Sequence, residues 1–154
     1  MKMLDEKITL DIEKINGYLE AVGLMNHDDY VASDYFFVKL PDGKTLIDSV
    51  NVSILNDCDK FPIEYWYVTL EQISEEDLQA GIEKWFFRTD VAEKWKQSVP
   101  NLVPGLLDLL QSYVTTASIY KLNMTPPMWH AIRWDEFVLD SKHGRFLLGF
   151  NFSD

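Results

Sequence analysis

The sequence predicts an α+β fold. It reads as a single domain over residues 1–154, with a largely antiparallel sheet, an N-terminal helix and a helical middle segment. Three observations point there. Ile8, Ile12, Ile15, Leu19 and Val22 recur at the spacing of one helical face. Strand-like runs lie toward both ends of the chain, while helix-start signals gather in the middle. The length of 154 residues and the 47% apolar content suit one packed core.

The first helix carries Asp11, Glu13, Lys14 and Glu20 on its polar side. Gly17 weakens it by about 1 kcal/mol relative to Ala, and Gly23 is the expected C-terminal cap. Residues 35–40 then read as a strand. Pro41, Asp42, Gly43 and Lys44 form a turn, because Pro presets φ and Gly tolerates positive φ. Residues 46–55 continue as the partner strand, with Val50, Val52 and Ile54 alternating with Ser49, Asn51 and Ser53. The expectation is a hairpin.

Residues 63–70 are aromatic and β-branched, and predict a third strand. Ser74 followed by Glu75, Glu76 and Asp77 has the layout of a helix start, a hydroxyl cap with acids in the positive first turn. That helix should turn Leu78, Ile82, Trp85 and Phe86 inward. Asp90 to Glu93 repeats the signal for a short helix through Trp95, stopped near Pro100. A third start falls around Pro104, followed by Leu106, Leu109, Leu110 and Tyr113. Residues 114–122 suit strand and helix equally. Ile132, Trp134 and residues 137–139 lead into a turn cluster at 140–144. Phe146, Leu148, Phe150 and Phe152 then alternate along a final strand with one aromatic face.

Charge excludes several function classes. Fourteen Lys and Arg against 25 Asp and Glu leave a net charge of −11. A nucleic-acid footprint or adhesion to an anionic membrane needs the opposite sign. Cys58 is the only cysteine, so neither an intramolecular disulfide nor a cysteine-based zinc site is available. The N-terminus turns acidic at once and lacks the apolar stretch of a signal peptide, and no apolar run approaches a membrane span. A cytoplasmic location is expected.

No nucleophile elbow, phosphate loop, dinucleotide fingerprint or zinc-protease motif occurs. His27, Asp28 and Asp29 are potential metal ligands, but consecutive residues rarely converge on one ion, and a polar loop between a helix and a strand is the favoured explanation. His130 follows Pro126 and Pro127 and reads as an ordinary packed or edge histidine; His143 sits in the final turn. Cys58 lies between Asp57 and Asp59, whose charge disfavours a thiolate. No catalytic residue, cofactor or metal is expected.

The acidic excess is confined to the first half. Residues 1–80 hold 17 acids and six bases, net −11, whereas residues 81–154 hold eight of each. Within residues 28–77 there are 12 acids and only Lys39, Lys44 and Lys60 as bases. Asp28, Asp29, Asp34, Asp57, Asp59, Glu75, Glu76 and Asp77 are the candidate partner-binding residues, on the expectation that loops at one end of a small sheet gather them.

A small, acidic, cysteine-poor α+β chain without a catalytic motif resembles the immunity proteins of bacterial toxin systems, such as contact-dependent inhibition and polymorphic toxins. The resemblance rests on composition and architecture over the whole chain and transfers no site residue. It implies a non-enzymatic inhibitor whose partner is a cognate protein toxin, basic and often a nuclease, with no nucleic acid and no membrane involved. Carboxylates would steer association, and a few buried aromatics would supply affinity. The alternative is a small-ligand-binding or enzymatic domain with a pocket lined by Tyr65, Tyr67, Trp129 and Trp134.

Overall fold

The computed structural model describes residues 2–27, 32–57, 67–125 and 133–153. The described elements are α1 (Lys2–Met25), β1 (Ala32–Lys39), α2 (Leu46–Asp57), β2 (Tyr67–Ile73), α3 (Glu75–Phe86), α4 (Asp90–Trp95), α5 (Leu102–Val114), β3 (Ser118–Thr125), β4 (Arg133–Ser141) and β5 (Gly144–Ser153). The five strands form one antiparallel sheet in the order β1-β5-β4-β3-β2. The α+β class is as expected.

Helices α1, α3 and α5 cover one sheet face. Ile8, Ile15, Leu19 and Val22 are buried there with Leu78, Ile82, Trp85 and Phe86, as their spacing requires. Phe146, Leu148 and Phe150 are fully buried in the same layer, and Phe152 packs at its rim. Alternation along β5 therefore places this aromatic row on the helix side. Ser74 caps α3 with a reciprocal pair of hydrogen bonds, and Thr89 caps α4.

The expected hairpin does not form. Residues 46–55 lie in the α2 helix, and β1 pairs with β5 at the other end of the chain. Two sequence features favour helix here. Leu46, Val50 and Ile54 recur every four residues and pack together on the second sheet face. The Thr45 hydroxyl accepts from the Asp48 N–H (3.1 Å), and the Asp48 carboxylate accepts from the Thr45 N–H (3.3 Å). That capping box outweighs the strand preference of Val and Ile. Arg145 holds the segment in place, donating to the carbonyls of Gly43 and Thr45 and to the buried Ser49 hydroxyl. The residues between β5's core positions are consequently covered too: Leu147 joins Leu40, Val50, Ile54, Leu122, Met124 and Val138 in a second apolar cluster.

Gly23 is not the end of α1, which runs to Met25. The chain turns instead at Asn26, whose fully buried amide donates to the carbonyls of Val22 and Phe86 and accepts from the Thr89 N–H. Of the undecided stretch 114–122, its first residue closes α5 and Ser118 opens β3. The final hairpin turns at Lys142 and His143, with Gly144 at φ +128°, a conformation that disfavours any side chain. The expected third strand starts at Tyr67 among the described residues; residues 63–66 lie outside them.

Candidate functional site

The two edges of the sheet are treated differently. Edge strand β1 is covered by α1: the Asn16 side chain donates to the Phe37 carbonyl and accepts from the Phe37 N–H, both at 2.7 Å. A single amide thus stands in for the missing neighbour. Edge strand β2 has no strand on its outer side among the described residues. Its register with β3 runs without a bulge from Tyr67 opposite Thr125 to Ile73 opposite Ile119. Tyr67 is 60% exposed, and Thr69, Glu71 and Gln72 are exposed along the same strand.

The β2 strand ends where α3 begins, which sets an acidic corner. Glu75, Glu76 and Asp77 are all exposed in the first turn of α3, where the helix dipole favours anions. Asp77 has a local task as well, since its carboxylate accepts from the Ser74 N–H (3.3 Å). Glu71 joins this group from β2. Across residues 67–83 there are five acids and no Lys or Arg. The nearest base across the sheet is Lys121, directly opposite Glu71, and its ammonium lies 3.5 Å from Asp135.

Not every expected site residue lies here. Asp34 is exposed on β1, opposite Asn151. A continuous row runs Ile73, Ile119, Leu139, Phe146, Lys39. Asp34 is therefore about 19 Å across the sheet from β2 and about 17 Å along β1 from that row. It occupies the diagonally opposite corner from Glu75. Asp57 is the last residue of α2. Asp28, Asp29 and Asp59 lie outside the described residues. Among the described candidates, strand order thus separates Asp34 from Glu75, Glu76 and Asp77. Glu71 was missed because no local signal marks a strand as an edge; only the pairing order does.

No family model matches this chain, and no curated protein is similar to it in sequence. Its fold is similar to that of citrus MAF1. A crystal structure of that protein aligns with a TM-score of 0.50 and 11% identity, covering 92% of this chain and 96% of the other. At that identity the likeness is one of fold alone.

The other concavities carry a different chemistry. A cleft of about 540 Å³ between α1, α5 and the β4–β5 turn is lined by Lys7, Asp11, Lys14, Asp108, Lys142 and His143, among others. The hydroxyl of the buried Tyr113 donates to the lining Asp11 at 2.6 Å, and Lys7 lies 3.1 Å from the same oxygen. Burial opposes the Asp11 charge, but these two donors outweigh it and lower the carboxyl's pKa. Burial, then the Asp11 hydrogen bond, push the Tyr113 hydroxyl well above its ordinary value. Both groups are thereby held in their resting protonation states, so the pair reads as a latch between α1 and α5. Asp135 is similarly engaged, accepting from the Trp85 indole at 2.6 Å between Lys84 and Lys121.

Among the described residues no cluster of three or more His, Cys, Asp or Glu is placed to hold a metal. No helix among them is long and apolar enough to cross a membrane. Of the expected aromatic pocket, Tyr65 and Trp129 lie outside the described residues. Trp134 packs in the second cluster with Val138, whereas Tyr67 shares its strand face with Ile73 of the first. Those two rings belong to opposite faces of the sheet. Trp95 is half exposed on α4, one turn from the exposed Val91.

Proposed function

We propose that this protein is a non-enzymatic, cytoplasmic inhibitor that binds and neutralises a basic protein toxin, as the immunity proteins of bacterial toxin systems do. The observation that carries the reading is the acidic corner: Glu71, Glu75, Glu76 and Asp77 exposed beside a strand edge that no other strand covers among the described residues, with no base across residues 67–83. Concentrated like charge costs folding stability, and a partner of opposite sign offsets that cost. For a nuclease toxin, these carboxylates would occupy a groove that otherwise takes phosphates. The small-ligand alternative has less support, because its two described aromatics face opposite sides of the sheet.

The test uses the product of a neighbouring toxin gene and binding kinetics at two salt concentrations. Glu71→Lys, Glu75→Lys and Glu76→Lys together change local charge by six units; Asp77 stays because it caps α3. Association should slow about ten-fold or more at low salt, and the gap should narrow as salt screens exposed charges. Equal rates for both proteins would remove the corner from the interface. Turnover of a small molecule, with no toxin bound, would overturn the reading itself.

A further inference from the structure

We infer that β2 accepts an extended, basic segment of the partner as a sixth strand of the sheet. The inference rests on the acidic corner being the docking surface, and adds how the partner engages it. Every second residue of an edge strand points its N–H and C=O outward, offering a ready ladder to another chain. Among the described residues no strand covers the outer side of β2; it contains no Pro and no Lys, its register has no bulge, and its one charge is the acidic Glu71. On β1 the Asn16 amide blocks that same ladder at Phe37. The contrast between the two edges singles out β2.

The side chains specify what kind of strand fits. On one sheet face an incoming strand would run beside Val68 and Leu70, which pack at the margin of the second apolar cluster. On the other it would run beside Thr69 and the exposed Glu71, with Glu75 and Glu76 just past the strand's end. Alternation therefore asks for apolar, β-branched residues on one face and Lys or Arg on the other, since opposite charges stabilise a cross-strand pair. A second copy fits less well. Antiparallel pairing about Leu70 would make the two Glu71 carboxylates diagonal neighbours on one face, adding acid to acid.

The probe is a terminally blocked heptapeptide of alternating Lys and Val, added to the full chain and followed by amide hydrogen exchange. The expected result is exchange slowed at least ten-fold at alternate positions of residues 68–73. Glu71→Lys should weaken binding about five-fold or more. The same peptide N-methylated on every Lys, or on every Val, keeps its charge but blocks one ladder edge. One of these two forms should lose the β2 protection and the other keep it. Equal binding by both forms without β2 protection would mean contact through charge only. That result overturns strand addition and leaves the acidic-corner reading standing, because toxin association tests that reading separately. No binding of the unmodified peptide overturns the inference too. So does protection of β2 in the isolated protein accompanied by sedimentation as a dimer, which would assign the edge to a second copy.

Discussion

The ring of Phe36 lies across Gly149, its direct partner on the neighbouring strand, and fills the space where a Cβ would stand. Gly149 is at the middle of a central strand, where glycine ordinarily weakens a sheet. Here its missing side chain lets an edge-strand aromatic fold over the second sheet face. Gly149→Ala should therefore destabilise the protein by about 1–3 kcal/mol through overpacking. Urea melts would measure it. Adding Phe36→Leu should recover part of the loss, because the two sites are coupled.

Phe150 sits at the centre of the aromatic layer, fully buried, with its ring centroid 5.1 Å from that of Tyr35 and 5.9 Å from that of Trp85. Phe150→Ala should cost about 3–5 kcal/mol, the transfer term plus the cavity left behind. A loss below about 1 kcal/mol in urea melts would show a site able to collapse around the deletion.

Thr45→Ala removes the hydroxyl that accepts the Asp48 N–H at the start of α2. Losing such a cap should cost about 0.5–2 kcal/mol. Denaturant melts give the size, and no change would mean that Arg145 alone holds this helix end.

Burial pushes the Tyr35 hydroxyl up to about 12, an effect larger than the opposing pull of Arg88. The hydroxyl donates to the Trp85 carbonyl at 2.5 Å. A folded-state pKa above the unfolded one gives stability that is complete below about pH 10. It is lost as pH rises from 10 towards 12, because only the unfolded chain ionises freely there. Thermal melts across that window should show a falling midpoint. Tyr35→Phe should flatten the slope while lowering stability at neutral pH. An unchanged slope would assign the alkaline loss elsewhere.

Local patterning made the helices readable. The period of Ile8 to Val22, the helix start at Ser74 and the alternation of Phe146 to Phe152 each report a neighbourhood of a few residues, and each stands in the structure as read. Residues 46–55 form a helix rather than the expected strand because the Thr45–Asp48 cap and the four-residue spacing of Leu46, Val50 and Ile54 outweigh Val and Ile residues that suit a strand equally. The signal was present, but the strand propensities masked it.

The sequence by itself determined the fold class, the apolar face of most elements and the acidic excess of the first half, because these depend on residue type and on spacings within one element. Only the tertiary structure decided that β1 pairs with β5, that α2 covers the second sheet face, and that β2 is the open edge among the described residues. Strand pairing joins residues more than a hundred positions apart, as with Phe36 and Gly149, and no local pattern encodes which partner is chosen. The same pairing order separates Asp34 from Glu75, whereas Glu71 lies beside Glu75 because β2 runs directly into α3. The charges and the run from Glu71 to Asp77 were legible in the sequence, but their distance from Asp34 and their place at a sheet edge follow from which strands bury their backbone hydrogen bonds against each other.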